Sequence, residues 1–159
     1  MWLLHAVARA APEMIPAEAM DEVGHVASDF TVPLREGGEF KLSEHRGKPV
    51  VLSFWASWCG PCRKELPALS KLAEARPDLT ILAINVDRDR SKADAFLAGL
   101  DVSLPIAYDS DSVTLGSFSV TSMPTMFVID RKGGVAFKKT GYSEEHGFTE
   151  ILGALKEQK

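Results

Sequence analysis

The chain has 159 residues, 45% of them apolar and 25% charged, and a formal net charge of −4. That length buries one sizeable core but would make two poor ones, and the composition excludes collagen-like and disordered classes. Lys and Arg scattered over an acidic chain argue against a nucleic-acid surface, and no stretch approaches the ~20 apolar residues that span a bilayer.

Residues 1–27 carry many Ala, Glu and Pro without a sustained period, and read as an extension with at most one short helix ahead of a single domain over 28–159. The opening MWLLHAVARAAPE is apolar at its start, and Ala8-Arg9-Ala10 fits a small-x-small cleavage site, yet a basic n-region and an unbroken apolar core are missing. An export-signal remnant is one reading and a loosely docked extension the other. Phe30–Val32 and Glu39–Leu42 flank Gly37-Gly38, which predicts a β-hairpin with Pro33 keeping its first strand at an edge. PVVLSFWA, residues 49–56, is a continuous apolar run that suits a strand buried on both faces at the centre of a sheet. After Cys62, Leu66, Leu69, Leu72 and Ala73 recur at helical spacing, and Pro77 places the helix end near Arg76. LTILAINVD, residues 79–87, predicts a second buried strand, followed by a helix capped by Ser91 and stopped at Gly99. Strand, helix, strand, helix implies a parallel core with right-handed crossovers. A short extended piece at Leu104–Ala107, a short helix within 111–118 and a hairpin of Thr125–Asp130 with Gly134–Thr140 come next. The pattern Phe148, Ile151, Leu152, Leu155 gives a last amphipathic helix, expected to start at a Ser143 cap with Glu144 and Glu145 in its first turn.

The two cysteines, Cys59 and Cys62, stand three positions apart in WASWCGPCRKELPAL. Three chemistries compete for them. A structural staple over so short a loop removes little chain entropy, roughly 2 kcal/mol. A metal site, with copper handling as its best form, would need further ligands from His5, His25, His45 or His146, and none lies at close ligand spacing. The redox reading explains the neighbours as well. Cys59 falls where a buried strand gives way to a helix, so its sulfur meets free N–H groups and the positive end of the helix dipole, both of which favour a thiolate. Gly60 leaves room for a partner chain, Pro61 has a preset φ near the first helical position, and Cys62 lies one turn on, more enclosed, placed to attack a mixed disulfide formed by Cys59.

FWASWCGPC resembles the active-site signature of the thioredoxin superfamily, and CRKELPAL with the preceding hairpin resembles its TlpA/ResA-like branch of thiol-disulfide oxidoreductases, over residues 29–157. The resemblance implies an α/β, thioredoxin-like three-layer sandwich: a mixed central sheet flanked by helices, with an added N-terminal β-hairpin. It implies an enzyme in which Cys59 attacks or receives the substrate disulfide and Cys62 resolves it. It also implies that Met123 and Pro124, in Ser122-Met123-Pro124-Thr125, form a cis-proline loop beside the sulfurs that lends backbone groups to a bound peptide; Trp58, Gly60 and Pro61 complete the substrate-binding set. Glu65, three residues after Cys62, matches a glutamate of this branch and is a candidate proton carrier, with a solvated surface charge as the plain alternative. Two departures from thioredoxins proper increase the weight on Glu65: Ser53 stands where they have a buried aspartate, and Ala83 where they have a lysine.

The expected activity is therefore reduction of protein disulfides, in the Gly-Pro pattern of reducing thioredoxins, within cell redox homeostasis. The partners are a protein disulfide or dithiol client and an upstream protein electron donor. No cofactor or metal is expected beyond the redox-active pair, and the chain is expected to be a monomer. The resemblance suggests a bacterial periplasmic or other extracytoplasmic setting, with cytochrome c maturation as one pathway and the cytoplasm as the alternative compartment. A metal-handling or binding module and a thiol peroxidase of the related peroxiredoxin branch are the competing functions.

Overall fold

A computed structural model describes residues 22–157. The possible signal remnant, any helix in residues 1–21, and His5 lie outside the described residues. Gly24–Ala27, assigned by the sequence to the extension, are tied to the domain. Gly24 N–H donates to Val135 C=O (2.9 Å), Ala27 N–H to Gly133 C=O (2.9 Å), and Ala27 is buried.

Strands β1 (Thr31–Pro33) and β2 (Glu39–Lys41) form the expected antiparallel hairpin, with Thr31 opposite Lys41. Gly37 and Gly38 sit at φ +100° and +77°, which only glycine adopts without strain. A 3-10 turn, Leu42–His45, leads to β3 (Val50–Trp55). The five-stranded sheet has the order β5-β4-β3-β6-β7, where β4 is Thr80–Asn85, β5 Ile106–Tyr108, β6 Thr125–Ile129 and β7 Val135–Thr140. β3, β4 and β5 run parallel while β6 and β7 are antiparallel, so the sheet is mixed with β3 at its centre. Every residue of β3 is buried, as its unbroken apolar run requires.

Side-chain alternation along β3 divides two cores. Val51 and Trp55 face a layer of helices α1 (Cys62–Ala75), α2 (Arg90–Ala98) and α4 (Thr149–Lys156), meeting Leu66, Leu69, Phe96, Ile151 and Leu155. Leu52 and Phe54 face the opposite way and join Val32 and Phe40 of the hairpin, Phe118, and Phe127 of β6. Phe118 follows the short helix α3 (Val113–Ser117) and stands edge-on to Phe30 and Phe127, with ring centroids 5.6 and 5.1 Å apart. The hairpin is thus the cover of the second face, and burying each such ring or Leu contributes about 1.5–3 kcal/mol.

Two helix starts differ from expectation. The cap of α2 is Asp89, whose carboxylate accepts from Ser91 N–H (2.9 Å) and Ser91 Oγ (2.6 Å); Ser91 is the donor, inside the helix. Gly99 ends α2 as expected. The last helix starts at Thr149 rather than after Ser143. Ser143 C=O accepts from Gly147 N–H (2.8 Å), but Gly147 sits at φ +50°, which breaks the turn before it can propagate. Glu144 pairs with Lys64 of α1 at 2.8 Å instead of serving a first turn.

Candidate active site

β3 ends at Trp55, and residues 56–61 turn the chain into α1. This turn is fixed from β4. Asp87 Oδ2 accepts from Ser57 N–H (2.8 Å) and Asp87 Oδ1 from Ser57 Oγ (2.8 Å). Asp87 is itself held by the buried Asn85, whose Nδ2 donates to Oδ2 (2.8 Å) and whose Oδ1 accepts from Asp87 N–H (3.0 Å). Charge-assisted bonds to a buried carboxylate are among the stronger local restraints, and these act two residues before Cys59. The clamp joins residues 30 positions apart, outside the cysteine motif. Its signal is Asn and Asp two apart at a strand's carboxyl end, which puts both side chains on one face.

Cys59 and Cys62 are joined in a disulfide with Cα atoms 5.4 Å apart. Cys62 is the first residue of α1, and its N–H points at Cys59 Sγ, 3.3 Å away. On reduction that donor and the helix dipole act on the Cys59 sulfur in favour of a thiolate. Pro61 enters the helix at φ −61°, and its carbonyl accepts from Glu65 N–H at 3.0 Å. Both cysteines are buried, Cys59 at 4% exposure and Cys62 at 0%, so the expected contrast between them is small. Gly60 and Pro61, between the two cysteines, are both exposed, and a Cβ placed on Gly60 would meet nothing within 4 Å. Trp58 is 70% exposed, which removes plain core packing as the reason for an aromatic residue there.

The Met123-Pro124 bond is cis, as the resemblance implied. Pro124 is buried, and its carbonyl accepts from Gly141 N–H (2.8 Å), while Thr125 Oγ1 donates back to Ser122 C=O (2.7 Å). Met123 packs against the core cluster that contains both cysteines.

Glu65 lies one helical turn after Cys62 and is wholly buried, which overturns the solvated-surface alternative. Ser53 Oγ donates to Glu65 Oε1, while Oε2 is buried with no partner among the described residues. Burial pushes the Glu65 carboxyl up to about 7, against the Ser53 hydrogen bond and the positive charge of Lys139. Such a group takes and returns protons near neutral pH. The residue at the aspartate's place, Ser53, therefore supports the carboxyl that reaches it from α1. Among the described residues no group of three or more His, Cys, Asp or Glu side chains is placed to hold a metal ion. His45 stacks on Phe40, with ring centroids 4.2 Å apart, and His146 is within 3.0 Å of Ser143 Oγ.

The AhpC/TSA family matches residues 23–138. The thiol-disulfide oxidoreductase ResA of Geobacillus thermodenitrificans is 33% identical over 136 residues, covering 84% of this chain and 78% of its own. Among solved structures, one from Chlorobium tepidum assigned as a thiol:disulfide interchange protein DsbE is 34% identical, with a TM-score of 0.78, over 84% of this chain and 98% of the other. The exposed lipoprotein thioredoxin of Streptococcus pneumoniae is 31% identical, with a TM-score of 0.72, over 82% of this chain and 99% of the other. A peroxiredoxin-type turn would carry a lone peroxidatic cysteine, whereas this turn holds two cysteines bonded to each other. The chain belongs to the AhpC/TSA family of thioredoxin-like proteins, within it to the ResA-like thiol-disulfide oxidoreductases.

Proposed function

We propose that this enzyme works as a reductant of protein disulfides outside the cytoplasm. The observation that carries the reading is the Cys59–Cys62 disulfide at the head of α1, with exposed Trp58, Gly60 and Pro61 around Cys59 and with Met123 of the cis Met123-Pro124 loop packed against the cluster that contains both cysteines. In the reduced enzyme the Cys59 thiolate attacks a client S–S bond, forming a Cys59–client disulfide and expelling one client thiolate. The Cys62 thiol then gives its proton to the Glu65 carboxylate as its sulfur attacks Cys59 Sγ; the S–S bond to the client breaks and the second client thiolate leaves. Two electrons have passed from the enzyme dithiol to the client. Glu65 returns its proton to solvent or to a leaving thiolate, and an upstream protein dithiol reduces the pair again. The electron pair resides on the two sulfurs, so the cycle needs no bound cofactor.

Trp58 and the Met123-Pro124 backbone hold the client peptide, with Gly60 and Pro61 as the floor on which it lies. Extracytoplasmic work is supported by relatives whose descriptions include an exposed lipoprotein and a secreted oxidoreductase. Cytochrome c maturation is the pathway suggested by the resemblance, because an apocytochrome carries a C-x-x-C-H pair of the right chemistry to be a client. The working unit is a monomer.

The test is insulin reduction by dithiothreitol. Catalytic amounts of the protein should speed precipitation of the insulin B chain well above dithiothreitol alone, and Cys59→Ser should abolish the gain. No rate above background, with stoichiometric Cu(I) binding instead, would overturn the reading in favour of a metal-handling module.

A further inference from the structure

Ser53, Met126 and Lys139 stand opposite one another across β3, β6 and β7. Ser53 shares its face with Val51 and Trp55, and Met126 belongs to the same core, so this row looks toward the helix layer. Two carboxyl side chains come down on it from that layer. Glu65 of α1 sits over Ser53, and Glu150 of α4 meets Lys139, Oε2 to Nζ at 3.1 Å. The Lys139 side chain is 18% exposed, whereas Glu150 is 56% exposed. Lys139 therefore shares the row beneath the buried Glu65, two strands from Ser53, while its ammonium pairs with a solvated acid.

A carboxyl at zero exposure holds a negative charge only with compensation, since desolvation otherwise keeps it protonated. Ser53 offers one hydrogen bond, and Oε2 has none among the described residues. The remaining charged and titratable groups around the site divide by element. From α1 come Cys62 and Glu65; from β7, Lys139; from the segment after it, Tyr142; from α4, Glu150. Burial and then the negative charges of Glu144 and Glu65 raise the Tyr142 phenol, so it stays neutral and supplies no compensation. Lys64 is spent on Glu144 at the surface, with both side chains more than half exposed. Lys139 is the one cation among these groups whose charge lowers the Glu65 carboxyl.

We propose that Lys139 is the positioning cation that allows buried Glu65 to lose and regain a proton while Cys62 resolves the mixed disulfide. The lysine missing at Ala83 on β4 is thereby replaced on the same face of the sheet, from the other flank of β3. The proposal rests on Glu65 as the proton carrier in the cycle above. Lys139 touches neither sulfur nor client in that cycle and acts through Glu65.

The experiment is a carboxyl carbon NMR titration of Glu65 in wild type, Lys139→Met, Lys139→Arg and Glu150→Gln, read beside the pH profile of insulin reduction. In Lys139→Met the Glu65 midpoint should rise, and the pH limb of the rate should move up with it. Lys139→Arg should restore both. Glu150→Gln removes an anion that competes for Lys139, so its midpoint should fall. A Lys139→Met midpoint equal to wild type overturns the proposal; if that variant does not fold, a Glu150→Gln midpoint at or above the wild-type value does so. A wild type inert toward insulin would overturn the reading beneath it, whereas an active wild type with an unmoved Glu65 overturns this proposal alone.

Discussion

Replacing Glu65 with Gln changes one atom in a buried site and should change how the stability of the oxidised protein depends on pH. The folded carboxyl titrates at about 7 against 4.5 for the free group, and burial is the first cause of the difference. Below about pH 4.5 the group is protonated in both folded and unfolded chains. Between 4.5 and 7 only the folded chain keeps the proton, so wild-type stability falls as pH rises, and the loss is complete once pH passes the folded value. The span of about 2.5 units corresponds to about 3 kcal/mol at 1.36 kcal/mol per unit. Gln does not titrate, and its side-chain oxygen can accept from Ser53 Oγ as Oε1 does. Urea unfolding of the two oxidised proteins across this range cancels the contributions of all other groups. Glu65→Gln should match wild type near pH 4.5 and exceed it by about 3 kcal/mol near pH 7.5. A difference that stays constant across the range would refute a buried, near-neutral Glu65.

Cys62→Ser leaves Cys59 able to attack but removes the resolving sulfur, so mixed disulfides with clients should accumulate on non-reducing gels and disappear in Cys59→Ser; no trapped species in extracts of either compartment would count against exchange. Trp58→Ala, at a 70% exposed position, should leave stability within about 0.5 kcal/mol while raising KM for a peptide disulfide several-fold with kcat little changed. A large loss of stability in urea would mean that the ring is structural after all. Asp87→Ala leaves Ser57 N–H and Asn85 without their acceptor and should cost about 1–3 kcal/mol, with looser control of the Cys59 turn seen as faster alkylation of the reduced protein. Unchanged stability and alkylation would remove the clamp.

Features carried by short stretches were legible. The unbroken apolar run 49–56 became a fully buried central strand, Gly37-Gly38 the hairpin turn, and Gly99 the end of α2. CGPC with the strand before it located the reactive pair at a helix head, and the cis Pro124 followed from the resemblance alone. Choices between two adequate local signals were not legible. Asp89 and Ser91 both suit a cap, and the aspartate took the role with the serine as its donor. Ser143 with two glutamates reads as a helix start, but Gly147 at positive φ interrupts it. Least visible were contacts made across layers by residues far apart in the chain. Glu65 stood out by resemblance, but its burial over Ser53 of β3 and the pairing of Lys139 on β7 with Glu150 of α4 are contacts that no local pattern carries. Asp87 looks like a polar strand end until Ser57 is found bound to it.

The direction of electron flow is the part of the account that most needs a number. Equilibration of the Cys59–Cys62 pair against glutathione or a reference thioredoxin, followed by thiol trapping, gives its reduction potential directly. A reductant with a Gly-Pro dipeptide should come out near about −270 mV, whereas a value above about −180 mV, where protein disulfide isomerase lies, would contradict a reducing role.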